Sequence, residues 1–159
     1  MPSARRLTLL AIGVVAADQV TKSMIVSSLS DGRVIHLVWT LQFALGYNSG
    51  VAFSQAQGLG PVVGIVALVA TVLLVRATLR ATSALASYGL CLITAGAIGN
   101  ICDRVFRGKG WLHGHVVDFI DLQWFPAFNI ADAAITVGAT LLILSMLAEY
   151  RSSRGIEAS

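Results

Sequence analysis

Charge is scarce in this sequence. Its 11 Lys and Arg and 8 Asp and Glu residues make only 12% of the 159 positions charged, against roughly 25% in a soluble domain. Such a composition leaves too little polar surface to face water, and the mean hydropathy is +0.78. We therefore predict an integral membrane protein with a single domain over residues 1–159, because the length leaves no room for a separate soluble module.

Several other sequence signals are missing, and each absence argues against one kind of structure or function. The two cysteines, Cys91 and Cys102, lie in one apolar segment, where a helix separates them by roughly 16 Å, beyond disulfide reach. No basic patch with interleaved aromatic residues suggests nucleic-acid binding, so no nucleic-acid partner is expected. No G-x-S-x-G motif occurs, so nothing indicates a serine hydrolase.

Long apolar runs, in contrast, are abundant. Each has about the 17–25 residues that a membrane-spanning helix needs. The four predicted spans are Leu7–Val26, Leu59–Val75, Leu85–Ile101 and Ala131–Leu147. The first resembles a signal peptide, but Asp18 and Lys22 continue it at helical spacing, so we expect it to be retained.

The segment between the first two spans has a different pattern. VIHLVWTLQFALGY (34–47) is rich in β-branched and aromatic residues, which predicts one or two strands at the membrane interface. NSGVAFSQAQGLG (48–60) predicts a short surface helix ended by glycines. The expected fold is therefore mainly α: a four-transmembrane-helix bundle with a small interfacial β-sheet and a short surface helix on the outer side.

The charged residues predict the orientation of the bundle. Cytoplasmic loops carry an excess of Lys and Arg, and an arrangement with both termini in the cytoplasm places six arginines there: Arg5, Arg6, Arg76, Arg80, Arg151 and Arg154. The acidic residues other than Glu149 and Glu157 lie in or near the opposite half. We therefore expect the chemistry of this protein to face outward.

Asp118 and Asp132 are the strongest candidates for that chemistry. A carboxylate at a bilayer boundary is costly unless it is paired, hydrated or used. Two carboxyls that share a proton are the acid/base apparatus of aspartic proteases, because the ionised one activates water and the protonated one donates. Alternatively, each anchors a helix end: Asp132 would favour a helix N-terminus, and Asp118 would pair with Arg104.

Other polar residues have both a structural and a functional interpretation. Asp18 and Lys22 are spaced as an i, i+4 ion pair, and we favour that structural role over direct chemistry. The small residues of AGAIG (95–99) admit close helix contact. Asn100, Asp103 and Arg104 follow them where the third span ends, and an arginine there can hold a carbonyl or a lipid phosphate.

The loops contain further candidates. Asn129 precedes Asp132 by three positions and can hydrogen-bond a carboxyl into place, whereas Asn48 and Gly50 fit a turn as well as a binding site. His113 and His115 have no Cys or Glu at ligand spacing, so we expect them to be solvated rather than to bind zinc.

Five motifs occur in order along the chain: DQVTK (18–22), YNSGVAF (47–53), AGAIGNICDR (95–104), HVVDFI (115–120) and FNIADAAI (128–135). With these motifs at the expected places relative to four spans, nearly the whole sequence resembles the lipoprotein signal peptidase family, also called signal peptidase II. The resemblance implies an aspartyl endopeptidase of the bacterial cytoplasmic membrane. Such enzymes cut prolipoproteins just before a cysteine that carries diacylglyceryl.

The resemblance also implies roles for residues. Asp118 and Asp132 would be the catalytic dyad. Residues that line or support the substrate site would be Asn48, Gly50, Asn100, Asp103, Arg104 and Asn129. Asp18 and Lys22 would be structural, and the family's interfacial β-cradle and outer helix correspond to residues 34–57. The link over residues 105–114 is longer than is usual in the family.

The expected partners are diacylglyceryl-modified prolipoproteins and membrane lipid, and we expect a monomer without a metal or cofactor. An alternative is a proton-coupled transporter that uses Asp18, although Lys22 can neutralise that acid and no repeat is evident. A third hypothesis, an assembly protein, predicts that Asp118 and Asp132 can be replaced without loss of function.

Overall fold

The computed structural model describes residues 1–49, 60–108 and 110–157. It contains four helices that are long and apolar enough to cross a membrane. These helices are α1 (Ala4–Leu29), α2 (Gly60–Arg80), α3 (Ala84–Phe106) and α4 (Ile130–Glu157). They confirm the prediction of four helices that can span a membrane, and each helix continues past the predicted span into flanking residues. The predicted surface helix falls largely on residues 50–59, which lie outside the described residues.

Helix α3 is the centre of the bundle. It contacts each of the other three helices, and 39% of its most apolar stretch is buried, against 11% in α1 and α2 and 22% in α4. Glycines permit this close approach, because a Cβ atom at Gly89 would lie 2.7 Å from the carbonyl oxygen of Gly138 in α4. A Cβ at Gly96 would likewise overlap the carbonyl oxygen of Ala131. The small-residue face of α3 is therefore its contact with α4.

A three-stranded antiparallel sheet accompanies the bundle. Its strands, in the order β1-β2-β3, are β1 (Ile35–Val38), β2 (Leu41–Asn48) and β3 (Val116–Asp121). The first two confirm the predicted interfacial strands. The third was not predicted, because we interpreted its sequence only as a polar boundary beside a span. In β3 the residues Val116–Phe119 are all buried, so Asp118 lies within a covered strand, opposite Gly46 of β2.

The long link after α3 folds back onto the bundle. The amide of Gly114 donates to the carbonyl oxygen of Arg104 over 2.9 Å. Leu112 has a positive φ of 61° and is fully buried. A Cβ atom added at Gly64 in α2 would lie 2.9 Å from the Cβ of Leu112, so the link after α3 packs against α2 while it remains bonded to α3.

Candidate active site

Asp118 projects from the middle of β3 and is 4% exposed. Its Oδ2 accepts a hydrogen bond from Asn48 Nδ2 over 3.0 Å, and its Oδ1 accepts one from Asn129 Nδ2 over 2.7 Å. Burial raises the pKa of Asp118, and the nearby charge of Asp132 raises it further, while the two amides partly oppose this rise. The result is a carboxyl that keeps its proton more readily than an exposed one.

Asp132 lies in the first turn of α4. Its backbone N–H donates to Asn129 Oδ1 over 3.0 Å, and its Oδ2 accepts from the backbone N–H of Asn129 over 3.3 Å. This reciprocal pattern is a capping box with Asp in the usual place of Glu. The remaining oxygen, Oδ1, accepts from Asn100 Nδ2 over 2.8 Å. Asp132 therefore has the helix-end role that we considered as an alternative. Its carboxyl nevertheless belongs to the same hydrogen-bond network as that of Asp118.

Asn129 joins the two carboxyl groups. It is fully buried, and its Oδ1 is engaged by the start of α4. Its Nδ2 must therefore face the sheet, where it donates to Asp118 and, over 3.2 Å, to the carbonyl oxygen of Val117. Each oxygen of both carboxyls thus accepts an N–H. Two carboxyls held in this way, one of them with a raised pKa, can divide acid and base roles.

A buried charge network lies behind the carboxyl pair. Lys22 Nζ is 2.9 Å from Asp18 Oδ2 and 2.8 Å from Asp103 Oδ2, with all three side chains fully buried. The first contact has the i, i+4 spacing that we identified in the sequence, whereas the second crosses from α1 to α3. Lys22 also donates to Asn100 Oδ1 over 3.0 Å. A carrier mechanism requires an unpaired acid, and Asp18 is paired.

This network also fixes the elements that carry the site. Asp18 Oδ1 accepts from the backbone N–H of Ala131 over 2.9 Å, at the start of α4. Asp103 Oδ2 accepts from the backbone N–H of Val117 over 3.0 Å, in β3. Asp103 Oδ1 is 2.9 Å from Arg107 Nε. The strand with Asp118 and the helix with Asp132 are therefore tied to one buried cluster.

Arg104 has a different partner from the one considered in the sequence. Its Nη1 donates to the carbonyl oxygen of Ser49 over 3.2 Å, and no ion pair joins it to Asp118 within the described ranges. Within the part of the chain that it describes, the structure therefore shows no direct ion pair of the kind considered for Arg104 and Asp118, although the charge of Asp118 acts on Arg104. Arg104 instead holds the chain directly after Asn48. Gly50 lies outside the described residues.

His113 in the 105–114 link and His115 directly after it are both exposed. His113 Nδ1 is 2.9 Å from the carbonyl oxygen of Trp111. Across the described ranges, no group of three or more His, Cys, Asp or Glu residues is arranged to hold a metal ion.

An apolar groove of about 550 Å³ reaches Asp132 from the side of the bundle. Its wall includes Trp124, Phe125 and Phe128, whose rings form consecutive edge-to-face contacts with centroids 6.0 Å and 6.1 Å apart. Val137 of α4 forms part of the other side. We missed this groove in the sequence, although its signal is the aromatic run WFPAF directly between β3 and α4.

Comparisons with known proteins agree with this architecture. Residues 10–148 match the family described as signal peptidase (SPase) II. The chain is 39% identical over 146 residues to the "Lipoprotein signal peptidase" of Rhodococcus jostii (strain RHA1), covering 90% of this chain and 74% of that protein. It is 40% identical over 150 residues to the "Lipoprotein signal peptidase" of Mycobacterium avium (strain 104), covering 92% and 82%.

Two solved structures, each titled as that of a bacterial membrane enzyme, have the same fold. One has a TM-score of 0.80 at 30% identity and covers 92% of this chain and 90% of its own. The other has a TM-score of 0.79 at 31% identity and covers 91% and 94%. The four helices and the small sheet therefore form an architecture already seen in membrane enzymes.

Proposed function

This chain belongs to the signal peptidase II family, and on that basis we propose that it is an aspartic endopeptidase with Asp118 and Asp132 as its catalytic dyad. Its substrates are bacterial prolipoproteins, and it cuts before the diacylglyceryl-modified cysteine. The observation that carries this proposal is the Asn129 bridge, whose side chain accepts from the Asp132 backbone and donates to Asp118.

The two carboxyls divide the work of peptide hydrolysis. The ionised member removes a proton from water, which attacks the scissile carbonyl carbon, while the protonated member donates its proton to the carbonyl oxygen. When the C–N bond breaks, the member that took the proton from water donates it to the leaving amine, and the other member recovers a proton from a hydroxyl of the tetrahedral intermediate. The raised pKa of Asp118 supports Asp118 as the member that starts the cycle protonated. Asp132, which accepts from Asn100 and from the backbone of Asn129, then acts as the base.

The neighbouring polar residues support this dyad. The amides of Asn48, Asn100 and Asn129 each donate to one carboxyl oxygen, which fixes the orientation of both groups. Arg104 donates to the carbonyl oxygen of Ser49, the residue directly after Asn48, and so supports the position of Asn48 beside Asp118. Fixed orientation of reacting groups is itself a large contribution to catalysis.

The groove beside Asp132 supports a lipid-anchored substrate. Its aromatic and aliphatic walls suit an acyl chain, and each buried CH₂ contributes about 0.8 kcal/mol. We place the site at the outer boundary of the bacterial cytoplasmic membrane, with both termini in the cytoplasm. The arginine distribution supports this orientation, as does the exposed Trp124 at the groove, because tryptophan concentrates at membrane interfaces.

The direct test is cleavage of a lipidated prolipoprotein by the purified protein in detergent, with the product identified by mass spectrometry. We expect a single cut before the modified cysteine, and cleavage slower by on the order of 10²–10⁴-fold with Asp118→Asn. Asp121→Asn is the matched control, because Asp121 ends the same strand but bonds Gln42 rather than the dyad. Cleavage at another bond, or full activity of Asp118→Asn, would contradict the proposal.

A further inference from the structure

Lys22 is separated from the dyad by one side chain. Its Nζ donates to Asn100 Oδ1 over 3.0 Å, and Asn100 Nδ2 donates to Asp132 Oδ1 over 2.8 Å. Asn100 therefore has an ammonium at one end of its amide and a dyad carboxyl at the other. This contact goes beyond charge compensation, because Asp18 and Asp103 already face the same ammonium at 2.9 Å and 2.8 Å.

The chemistry of a primary amide allows only one orientation between these neighbours. An amide has an acceptor oxygen at one corner and a donor nitrogen at the other. If Asn100 were reversed, its NH₂ would face the Lys22 ammonium and its oxygen would face the Asp132 carboxylate, so both contacts would be repulsive. Asn129 Nδ2, 3.3 Å from Asn100 Oδ1, favours the same orientation. The ammonium of Lys22 thus holds the oxygen of the Asn100 amide on its own side, so the N–H of the same amide faces Asp132.

We propose that Lys22 is a positioning residue for peptide hydrolysis: it orients Asn100, which in turn presents an N–H to Asp132 Oδ1. This inference rests on the proposed dyad. The N–H fixes the orientation of Asp132 Oδ1, and the orientation of a reacting group contributes to its effectiveness in catalysis. Lys22 never touches the substrate, yet it keeps Asp132 oriented as the base that activates water.

Variants that preserve the charge balance test this proposal. The double variant Lys22→Met/Asp18→Asn removes one positive and one negative charge and leaves Asp103 with Arg107, 2.9 Å away. Asp18→Asn alone is the matched control, since Lys22 keeps Asp103 and Asn100. The kcat of the double variant is compared with the kcat of this control, because Asp18 also accepts from the backbone N–H of Ala131 and its loss alone has its own effect. The double variant should lose kcat on the order of 10²-fold, as misplaced catalytic groups do, with KM little changed.

Combining these substitutions with one at Asn100 tests whether Lys22 acts through Asn100 or only stabilises the fold. Asn100→Leu should lower kcat about as much as the Lys22→Met/Asp18→Asn pair. Adding that pair to Asn100→Leu should then cost little more, because both changes break the same connection. Losses of kcat that multiply, or a change confined to KM, would overturn the proposal.

A second variant keeps Lys22 in place, in case the double variant fails to fold. Asn100→Asp retains a partner for the ammonium but sets an acceptor in place of the donor that faces Asp132. We expect it to fold and to lose kcat as severely as Asn100→Leu, and native activity would overturn the proposal. If the native protein itself does not cleave lipidated prolipoprotein, the proposed function fails. If it cleaves but Lys22 and Asn100 act independently, only this inference fails.

Discussion

Asn129 donates to Asp118 across 2.7 Å from the N-cap position of a helix, although Asp118 belongs to a strand. The two ends of one amide thus serve two elements, since the oxygen caps α4 and the nitrogen holds β3. A single short side chain therefore links the strand that carries Asp118 directly to the helix that carries Asp132. Helix capping and dyad geometry can be separated by substitutions at this one position.

Substitutions at Asn129 should divide stability from activity. Serine retains a capping oxygen for α4 but is too short to reach Asp118, whereas alanine loses both functions. We expect Asn129→Ser to be more stable than Asn129→Ala by about 0.5–2 kcal/mol, the usual value of an N-cap, with both variants severely impaired in cleavage. Thermal unfolding in detergent and cleavage kinetics measure the two effects, and native activity of the serine variant would refute the bridging role.

The dyad itself should behave as one unit. Asp118→Asn and Asp132→Asn should each lower cleavage of a lipidated substrate by on the order of 10²–10⁴-fold, the usual contribution of a general acid or base. The double variant should be hardly worse than either single one. Single-turnover assays of the three variants test this, and EDTA should have no effect. Loss of activity in EDTA that zinc restores would instead revive the metal hypothesis for the histidines.

Asp118 should cost the protein stability at neutral pH. Its pKa is raised above the ordinary value of 3.8, mainly by burial, so the folded state binds its proton more tightly than the unfolded chain does. The stability gained from that proton is complete below the ordinary pKa and is lost as pH rises through the raised pKa. Asp118→Asn should therefore unfold at a higher temperature than the native protein near pH 7, and this difference should vanish below the ordinary carboxyl pKa of 3.8.

Asp121 provides a control of opposite sign. Hydrogen bonds from the Gln42 side chain and the Gln123 backbone lower the pKa of Asp121, so its stabilising contribution exists above the ordinary carboxyl pKa and is lost as pH falls. Asp121→Asn should not be stabilised at neutral pH. If both variants shifted the melting temperature in the same direction, burial of Asp118 would not be the cause.

The Lys22 cluster should show unequal single-variant effects on stability. Lys22→Ala leaves both Asp18 and Asp103 without their shared cation and should cost about 3–5 kcal/mol. Asp18→Ala should cost less, since Lys22 keeps its 2.8 Å contact with Asp103, and the double alanine variant should recover part of the Lys22→Ala loss. Thermal unfolding of the three variants checks this order. Unchanged stability of Asp18→Asn with loss of proton-coupled transport would support the carrier hypothesis instead.

Lipidation should dominate substrate choice. A diacylglyceryl group provides more apolar contact than a short peptide, and it fixes the depth of the scissile bond relative to Asp118 and Asp132. We expect an unlipidated prolipoprotein of the same sequence to be cut far more slowly or not at all. A side-by-side assay in one detergent measures the ratio, and comparable rates would indicate a general membrane protease.

The helices could be predicted because a bilayer imposes a length and a composition on each span independently of its neighbours. Asp118 and Asp132 could be selected as candidates because each carboxylate stands in polar sequence near an apolar run, where an unpaired charge is costly; their role as a dyad stays a prediction. Strand β3 could not, because it pairs with β2, whose Asn48 lies 70 positions from Asp118. The Lys22–Asp103 contact was missed for a similar reason. Local spacing identifies a partner four residues away, whereas a partner on another helix depends on how the bundle packs.

The placement of the buried charges also bears on how this chain enters the bilayer during synthesis. Asp18 and Lys22 are four positions apart within α1, and Asp103 and Arg107 are four positions apart at the end of α3. Each helix therefore brings its own counter-ion and can leave the translocon with its carboxylate already neutralised. The contact between Lys22 and Asp103 forms only when the helices meet, so assembly links two pre-neutralised segments instead of joining two bare charges in lipid.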